Sequence, residues 1–154
     1  MEVAELATRL VDAGNAEREA LLREDSALPD VELAYKLKEI CQADWRTEPT
    51  RSIRAAAALN FLAEFSRGRP NNAEIGALAK WASGISDLVQ GKMEAAVRHL
   101  EAAESTLLAL GKDHPAAGTM LARSFGLAML GRYEEAILLM GEVIVALREA
   151  RLAE

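Results

Sequence analysis

The second half of the sequence repeats itself with a period of 40 residues, and this repeat constrains the fold more than any other feature. Gly91–Glu94 (Gly-Lys-Met-Glu) matches Gly131–Glu134 (Gly-Arg-Tyr-Glu) at that offset. Seven apolar positions then match at the spacing of one face of an α-helix. They are Met93, Ala96, Val97, Leu100, Ala103, Leu107 and Leu110 in one copy, and Tyr133, Ala136, Ile137, Met140, Val143, Leu147 and Ala150 in the other. Each unit is predicted to be a helix, a glycine turn and a second helix.

Composition agrees with a helical repeat. Alanine and leucine, which favour helices, supply 30 and 22 of the 154 residues. A chain of this length is expected to form one domain. We predict an all-α protein, a right-handed α-solenoid of antiparallel helix hairpins with about eight helices. Its parts are an N-terminal hairpin at 1–30, a divergent repeat at 31–70, and two regular repeats at 73–111 and 113–152.

Residues at the predicted turns indicate how the helices end and begin. Gly91, Gly111 and Gly131 each follow an apolar helical pattern, where a helix C-terminus favours a left-handed residue. Polar residues ahead of the next helices are predicted N-caps, because their side chains accept hydrogen bonds from free backbone N–H groups. These N-caps are Thr47, Asn71 or Asn72, and Asp113.

Small residues at fixed positions make these hairpins resemble the tetratricopeptide repeat. Gly84, Ala96 and Ala103 fall on the small positions of that family, and Leu100 falls on its large one. The segment 130–136 (Leu-Gly-Arg-Tyr-Glu-Glu-Ala) is similar to the family's turn and the start of its second helix, although Ser124 stands where an inner glycine is usual. The resemblance implies that the first helices of successive repeats line a concave groove that holds a partner.

Three segments, 33–41, 77–85 and 127–133, also resemble the repeat region of bacterial proteins that carry a C-terminal caspase-like (CHAT) protease domain. In such proteins the repeats sense or hold a partner, and the protease is a separate domain. We expect no protease activity from this chain, because its residues match only the repeat region.

No pattern in the sequence indicates catalysis, a metal site or a cofactor. Cys41 lies on an apolar helix stripe with Leu37 and Trp45, and is predicted to be a buried thiol rather than a nucleophile. His99 and His114 lack the spacing of metal ligands and are predicted at the surface. The acidic side chains are assigned to solvated helix faces. We therefore predict that the chain is not an enzyme.

An arginine-rich segment interrupts an otherwise acidic chain. The net charge is −6, which argues against a general nucleic-acid binder, whereas residues 45–70 hold five basic and two acidic side chains. Two interpretations stay open: an arginine patch for an acidic partner, or internal pairing with Asp44, Glu48, Glu64 or the N-terminal hairpin. The residues concerned are Arg46, Arg51, Arg54, Arg67 and Arg69, with Trp45 beside them.

The predicted first helices carry apolar residues where the family's ligand-facing positions fall. These are Trp81, Ile85 and Leu88 in one repeat and Leu121, Phe125 and Ala128 in the next. They either form core, covered by the N-terminal hairpin, or form a binding patch for another protein. Core is the favoured interpretation.

These patterns together favour a non-catalytic protein–protein interaction module: a scaffold, adaptor or regulatory subunit. The alternatives are a self-assembling structural unit that stacks end helices such as 132–152 on a second copy, a sensor part of a CHAT-protease-type system, and, less favoured, a nucleic-acid-associated regulator. No window is long and apolar enough for a membrane span, and no secretory signal is evident. We expect a protein or peptide partner, no cofactor and a cytoplasmic location.

Overall fold

The computed structural model describes residues 1–24 and 30–153, and the described residues form eight helices and no strand. The predicted end of the N-terminal hairpin, at residues 25–29, lies outside the described residues. The predicted all-α architecture is confirmed. The helices are α1 (Val3–Asp12), α2 (Asn15–Glu24), α3 (Asp30–Asp44), α4 (Pro49–Phe65), α5 (Asn72–Val89), α6 (Met93–Ala109), α7 (Asp113–Met129) and α8 (Tyr133–Ala153).

From α3 to α8, each helix packs against the next one along the chain. Helix α5 also contacts α3 and α7, whereas within the described ranges α4, α6 and α8 make no contact with one another. The odd-numbered helices therefore lie on the inner side of the array, and the even-numbered helices lie on the outer side. Helices α1 and α2 pack at the N-terminal end, against α3 and α4.

The three predicted glycine turns are confirmed. Gly91, Gly111 and Gly131 adopt left-handed backbone conformations, with φ of 78°, 72° and 79°. After the first of them, the Lys92 N–H donates to the Asp87 carbonyl at 2.8 Å, and the other two turns repeat this bond. This hydrogen-bond pattern is the Schellman motif, which satisfies the last carbonyls of a helix. The same turn geometry thus recurs after α5, α6 and α7, and the 40-residue interval from Gly91 to Gly131 contains a further such turn at Gly111.

The predicted N-caps are wrong at Thr47 and Asp113, whereas Asn71 occupies the N-cap position of α5. Thr47 lies in a turn, Asp113 is already helical, and Asn71, with a φ of 68°, makes no side-chain cap bond. The Asn72 amide instead donates to the Ala63 carbonyl at 3.1 Å, near the end of α4. The Schellman turn at Gly111 explains why Asp113 is not the N-cap of α7. Helix α7 starts so soon after this turn that Lys112 occupies the N-cap position.

Close helix packing is possible at Gly84 because it has no side chain. A Cβ atom built there would lie 2.6 Å from Cγ of Leu100, which is fully buried on α6. Leu100 therefore occupies the space that a side chain at position 84 would need. This contact between a small and a large position is the arrangement expected from the sequence.

The C-terminal end of α1 is held by two arginines. The Arg18 Nε donates to the Leu10 carbonyl at 2.8 Å, and the Arg54 guanidinium donates to the Asp12 carbonyl at 2.6 Å. Arg18 is buried and also reaches the Arg54 carbonyl, at 3.4 Å. Positive charge suits these carbonyls, because the C-terminus of a helix carries the negative end of its dipole.

We expect Arg18→Met to lower the free energy of unfolding by about 2 kcal/mol, since it removes charged hydrogen bonds to the Leu10 carbonyl at the end of α1 and to the Arg54 carbonyl of α4. Urea denaturation followed by circular dichroism measures this change. Arg23→Met is the matched control, because Arg23 is exposed and, among the residues that the structure describes, pairs with Glu19 one turn earlier on its own helix. Equal losses in the two variants would contradict the capping role.

Candidate functional site

A groove crosses the inner face of the array where α3, α5 and α7 meet. It encloses about 310 Å³ and is lined mainly by apolar side chains, with two polar groups at its edge. Its lining residues are Gln42, Trp45, Arg46, Trp81, Ile85, Leu88, Gly118, Leu121, Ala122 and Phe125. The structure thus brings seven of the eleven predicted partner-binding residues into one groove.

The floor of the groove belongs to the core. Trp81, Ile85 and Leu88 on α5 are buried, so the favoured core interpretation holds for these three residues. Helix α3 contacts α5, whereas the described part of the N-terminal hairpin contacts α3 and α4. Lys38 on α3 places its ammonium 4.5 Å from the centre of the Trp81 ring, and burial lowers the pKa of Lys38. The floor of the groove is therefore apolar, and α3 contributes to its burial at Trp81.

The wall formed by α7 and by the turn after α3 is open to solvent. Leu121 and Phe125 are about half exposed. Trp45 meets Phe125 edge to face, with ring centres 6.2 Å apart. Arg46 stacks on the Trp45 ring, with its guanidinium carbon 4.6 Å from the ring centre. The exposed part of the groove is therefore aromatic and aliphatic, with one arginine at its rim.

The other four predicted arginines lie outside the groove and are paired within the chain. Arg51 contacts Asp44 at 2.5 Å, Arg67 contacts Glu64 at 2.6 Å, and Arg69 contacts Asp30 at 3.2 Å. Arg54 binds the end of α1, as described above. Internal pairing therefore accounts for these four arginines. Across residues 1–24 and 30–153, no carboxylate pairs with Arg46.

Cys41 and His99 occupy settings that do not favour catalysis. Cys41 is fully buried, and burial raises the pKa of its thiol to about 11, so it is a poor nucleophile. The Ser52 hydroxyl donates to the Cys41 carbonyl at 2.8 Å and lies 3.5 Å from the sulfur. His99 is only partly exposed, because its Nδ1 lies 2.7 Å from the Asp87 carboxylate. Neither residue lines the groove.

Two buried carboxylates depart from the assignment of all acidic residues to solvated faces. Glu104 is held by Arg123, whose Nε lies 2.8 Å away, and this pair joins α6 to α7. Glu74 accepts a hydrogen bond from the Tyr35 hydroxyl at 2.6 Å, and burial together with this bond raises the pKa of Tyr35. Each pair joins two different helices, α6 and α7 in one case and α3 and α5 in the other, so the periodicity of a single helix does not reveal it.

Sequence reasoning also missed two polar residues of α3. Gln42 lines the groove, and Lys38 stacks on the Trp81 ring. A signal was present in the repeat alignment at an offset of 44 residues, which places Leu37 at the position of Trp81 and thus brings this part of α3 into register with α5.

No protein-family model, curated protein or solved structure matches this chain. The helices and the groove define the class of the protein from its own structure: an all-α helical repeat with an apolar groove on its inner face. None of the described helices is long and apolar enough to cross a membrane. Among the same residues, no group of three His, Cys, Asp or Glu side chains could hold a metal ion.

Proposed function

We propose that this chain is a non-catalytic protein–protein interaction module of tetratricopeptide type, which holds a partner polypeptide in the inner groove. The observation that carries the proposal is the exposure of Leu121 and Phe125 beside Trp45 and Arg46. Large exposed apolar side chains in a concave site commonly mark a binding surface. Tryptophan and arginine are also the residue types that most often dominate binding energy.

The chemistry of the groove defines the partner. The floor and wall accept one or two apolar side chains, and Arg46 favours a carboxylate next to them, because none of the described residues that line the groove is acidic. We therefore expect a peptide or helix with an aromatic or aliphatic anchor flanked by Asp or Glu. Arg46 would hold its carboxylate at the rim, where stacking on Trp45 orients the guanidinium.

The resemblance to tetratricopeptide repeats and to the repeat region of CHAT-protease proteins supports a role in holding or sensing a partner as a scaffold, adaptor or regulatory subunit. That role would be played in the bacterial cytoplasm. The lining of the groove supports a non-catalytic role, because it contains no Cys, His, Asp or Glu.

Site-specific photocrosslinking in host cells tests the proposal. A photoreactive phenylalanine analogue placed at Leu121 should give a discrete protein adduct. The same analogue at Leu108, which is equally exposed on the outer helix α6, should not. Arg46→Glu should reduce the adduct at position 121 at least about tenfold, because it reverses the charge that orients the partner.

Two outcomes would count against this function. Adducts of equal yield at positions 121 and 108 would show unspecific contact. An adduct that disappears on nuclease treatment would instead favour the nucleic-acid alternative.

A further inference from the structure

The last helix presents a face that a helix covers elsewhere in the same chain. At the 40-residue offset, Ile137 and Met140 on α8 match Val97 and Leu100 on α6. Val97 is 6% exposed because α7 packs on it, and Leu100 is 0% exposed against α5, whereas Ile137 and Met140 are 70% and 37% exposed. The face therefore has the shape and polarity of a helix-packing surface, and no described helix lies on it.

Gly141 lies beside this face, at the position that matches the exposed Glu101 of α6, and it is ringed by further exposed apolar side chains. Its neighbours one turn before and one turn after are Ile137, Leu138, Ile144 and Val145, which are between 49% and 71% exposed. A Cβ atom at position 141 would meet nothing within 4 Å, so no contact inside the chain requires glycine there. Glycine in a helix interior costs about 1 kcal/mol relative to alanine. A small residue ringed by four aliphatic side chains suits the close crossing of a second helix.

The charges on either side of Gly141 select the direction of that second helix. Glu134 precedes Gly141 by seven residues and Arg148 follows it by seven, so both lie near the same helix face. Both are exposed, and within the described parts of the chain neither forms an ion pair. If a second α8 crosses antiparallel at Gly141, Glu134 of each copy meets Arg148 of the other.

The opposite end of the array does not offer a match for α8. There α2 is polar, and its exposed surface carries Glu17, Glu19, Arg23 and Glu24. Head-to-tail stacking would therefore set an apolar face against a charged one. Pairing of two α8 faces is self-complementary and closes after two copies.

We propose that α8 pairs with α8 of a second copy of this chain, antiparallel and across a two-fold axis at Gly141. Ile137 then faces Val145 of the second copy, and Leu138 faces Ile144. The interface lies on α8, outside the inner groove, and so does not depend on the function proposed for that groove.

Sedimentation of the full chain from about 1 µM to 1 mM, the range of weak to moderate association, tests this dimer. The wild type should reach the mass of two chains. Gly141→Leu should raise the dissociation constant at least about tenfold, because the added side chain blocks the close crossing. This variant should still fold, since position 141 faces open space and leucine favours helices.

Two further variants make the test specific. Gly118→Leu, also at an exposed helical glycine with open space around it, should leave the dimer unchanged. Arg148→Glu should weaken the dimer at least about fivefold through like charges, and adding Glu134→Arg should restore it.

Three results would overturn the proposal. A wild type that stays monomeric throughout would assign the face to another protein or to a further repeat. A dimer that tolerates Gly141→Leu would use another surface. Failure of the charge swap to restore association would exclude the antiparallel register.

Discussion

Gly84→Ala is expected to lower the free energy of unfolding by about 2 kcal/mol. The new methyl group would lie 2.6 Å from Cγ of Leu100 and 2.7 Å from its Cδ2, and Leu100 is enclosed on all sides by the core. Overpacking of this kind costs about 1–3 kcal/mol or more, whereas the gain in helix propensity returns only about 1 kcal/mol. Urea denaturation measures the change, provided that the slope of the transition is unaltered.

Gly76→Ala is the matched control for this prediction. Gly76 lies on the same helix, and a Cβ atom there would meet nothing within 4 Å. This variant should gain about 0.5–1 kcal/mol from helix propensity alone. If both variants gained stability, the close approach of α5 and α6 would not restrict position 84 to glycine.

Arg123→Ala is expected to lower the free energy of unfolding by about 2–3 kcal/mol, because it leaves the buried Glu104 carboxylate without its cation. Arg123 is itself partly exposed, so the loss should fall below that of a fully buried pair. At the 40-residue offset Ile144 stands at the position of Glu104, so the repeat itself suggests an apolar replacement.

The double variant Glu104→Ile with Arg123→Leu should therefore recover most of the stability lost in Arg123→Ala. Thermal and urea unfolding of Glu104→Ile, of Arg123→Leu and of the double variant form a cycle that isolates the pair. A double variant no more stable than Arg123→Ala would contradict a role confined to this ion pair.

The sequence was most informative where structure depends on neighbours in the chain. The left-handed turn at Gly91 and the helix face through Leu100 follow from residues within a few positions of each other, so spacing alone predicts them. The repeat also indicated that Trp81 and Leu121 share an inner face. The repeat could not indicate that Trp81 is buried against α3 while Leu121 stays exposed. The burial of a side chain depends on which other helices pack against it, and the repeat does not give that information.

Helical periodicity does not predict contacts between segments that are distant in the sequence. Arg54 donates to a carbonyl 42 residues earlier, at Asp12, and Trp45 meets Phe125 across 80 positions. Neither contact follows from the helical pattern of its own segment. The sequence therefore left two interpretations open for the arginine-rich segment. In the structure Arg51, Arg54, Arg67 and Arg69 pair within the chain, and Arg46 lines the groove.

The buried apolar residues form two clusters, and this division bears on how the protein opens. One cluster runs from α1 to the start of α7, whereas the other joins α6, α7 and α8 through six residues: Val97, Met120, Leu127, Ala136, Leu139 and Val143. In a linear array each hairpin is stabilised by its neighbours, and local unfolding begins where that support is least. Helix α8 should therefore exchange its amide hydrogens through an opening that leaves α1–α6 folded. Any molecule that binds α8 would then slow this exchange, and the more so the higher its concentration and affinity. The exchange rate of the α8 amides would therefore measure how much of the protein has a partner bound at this end.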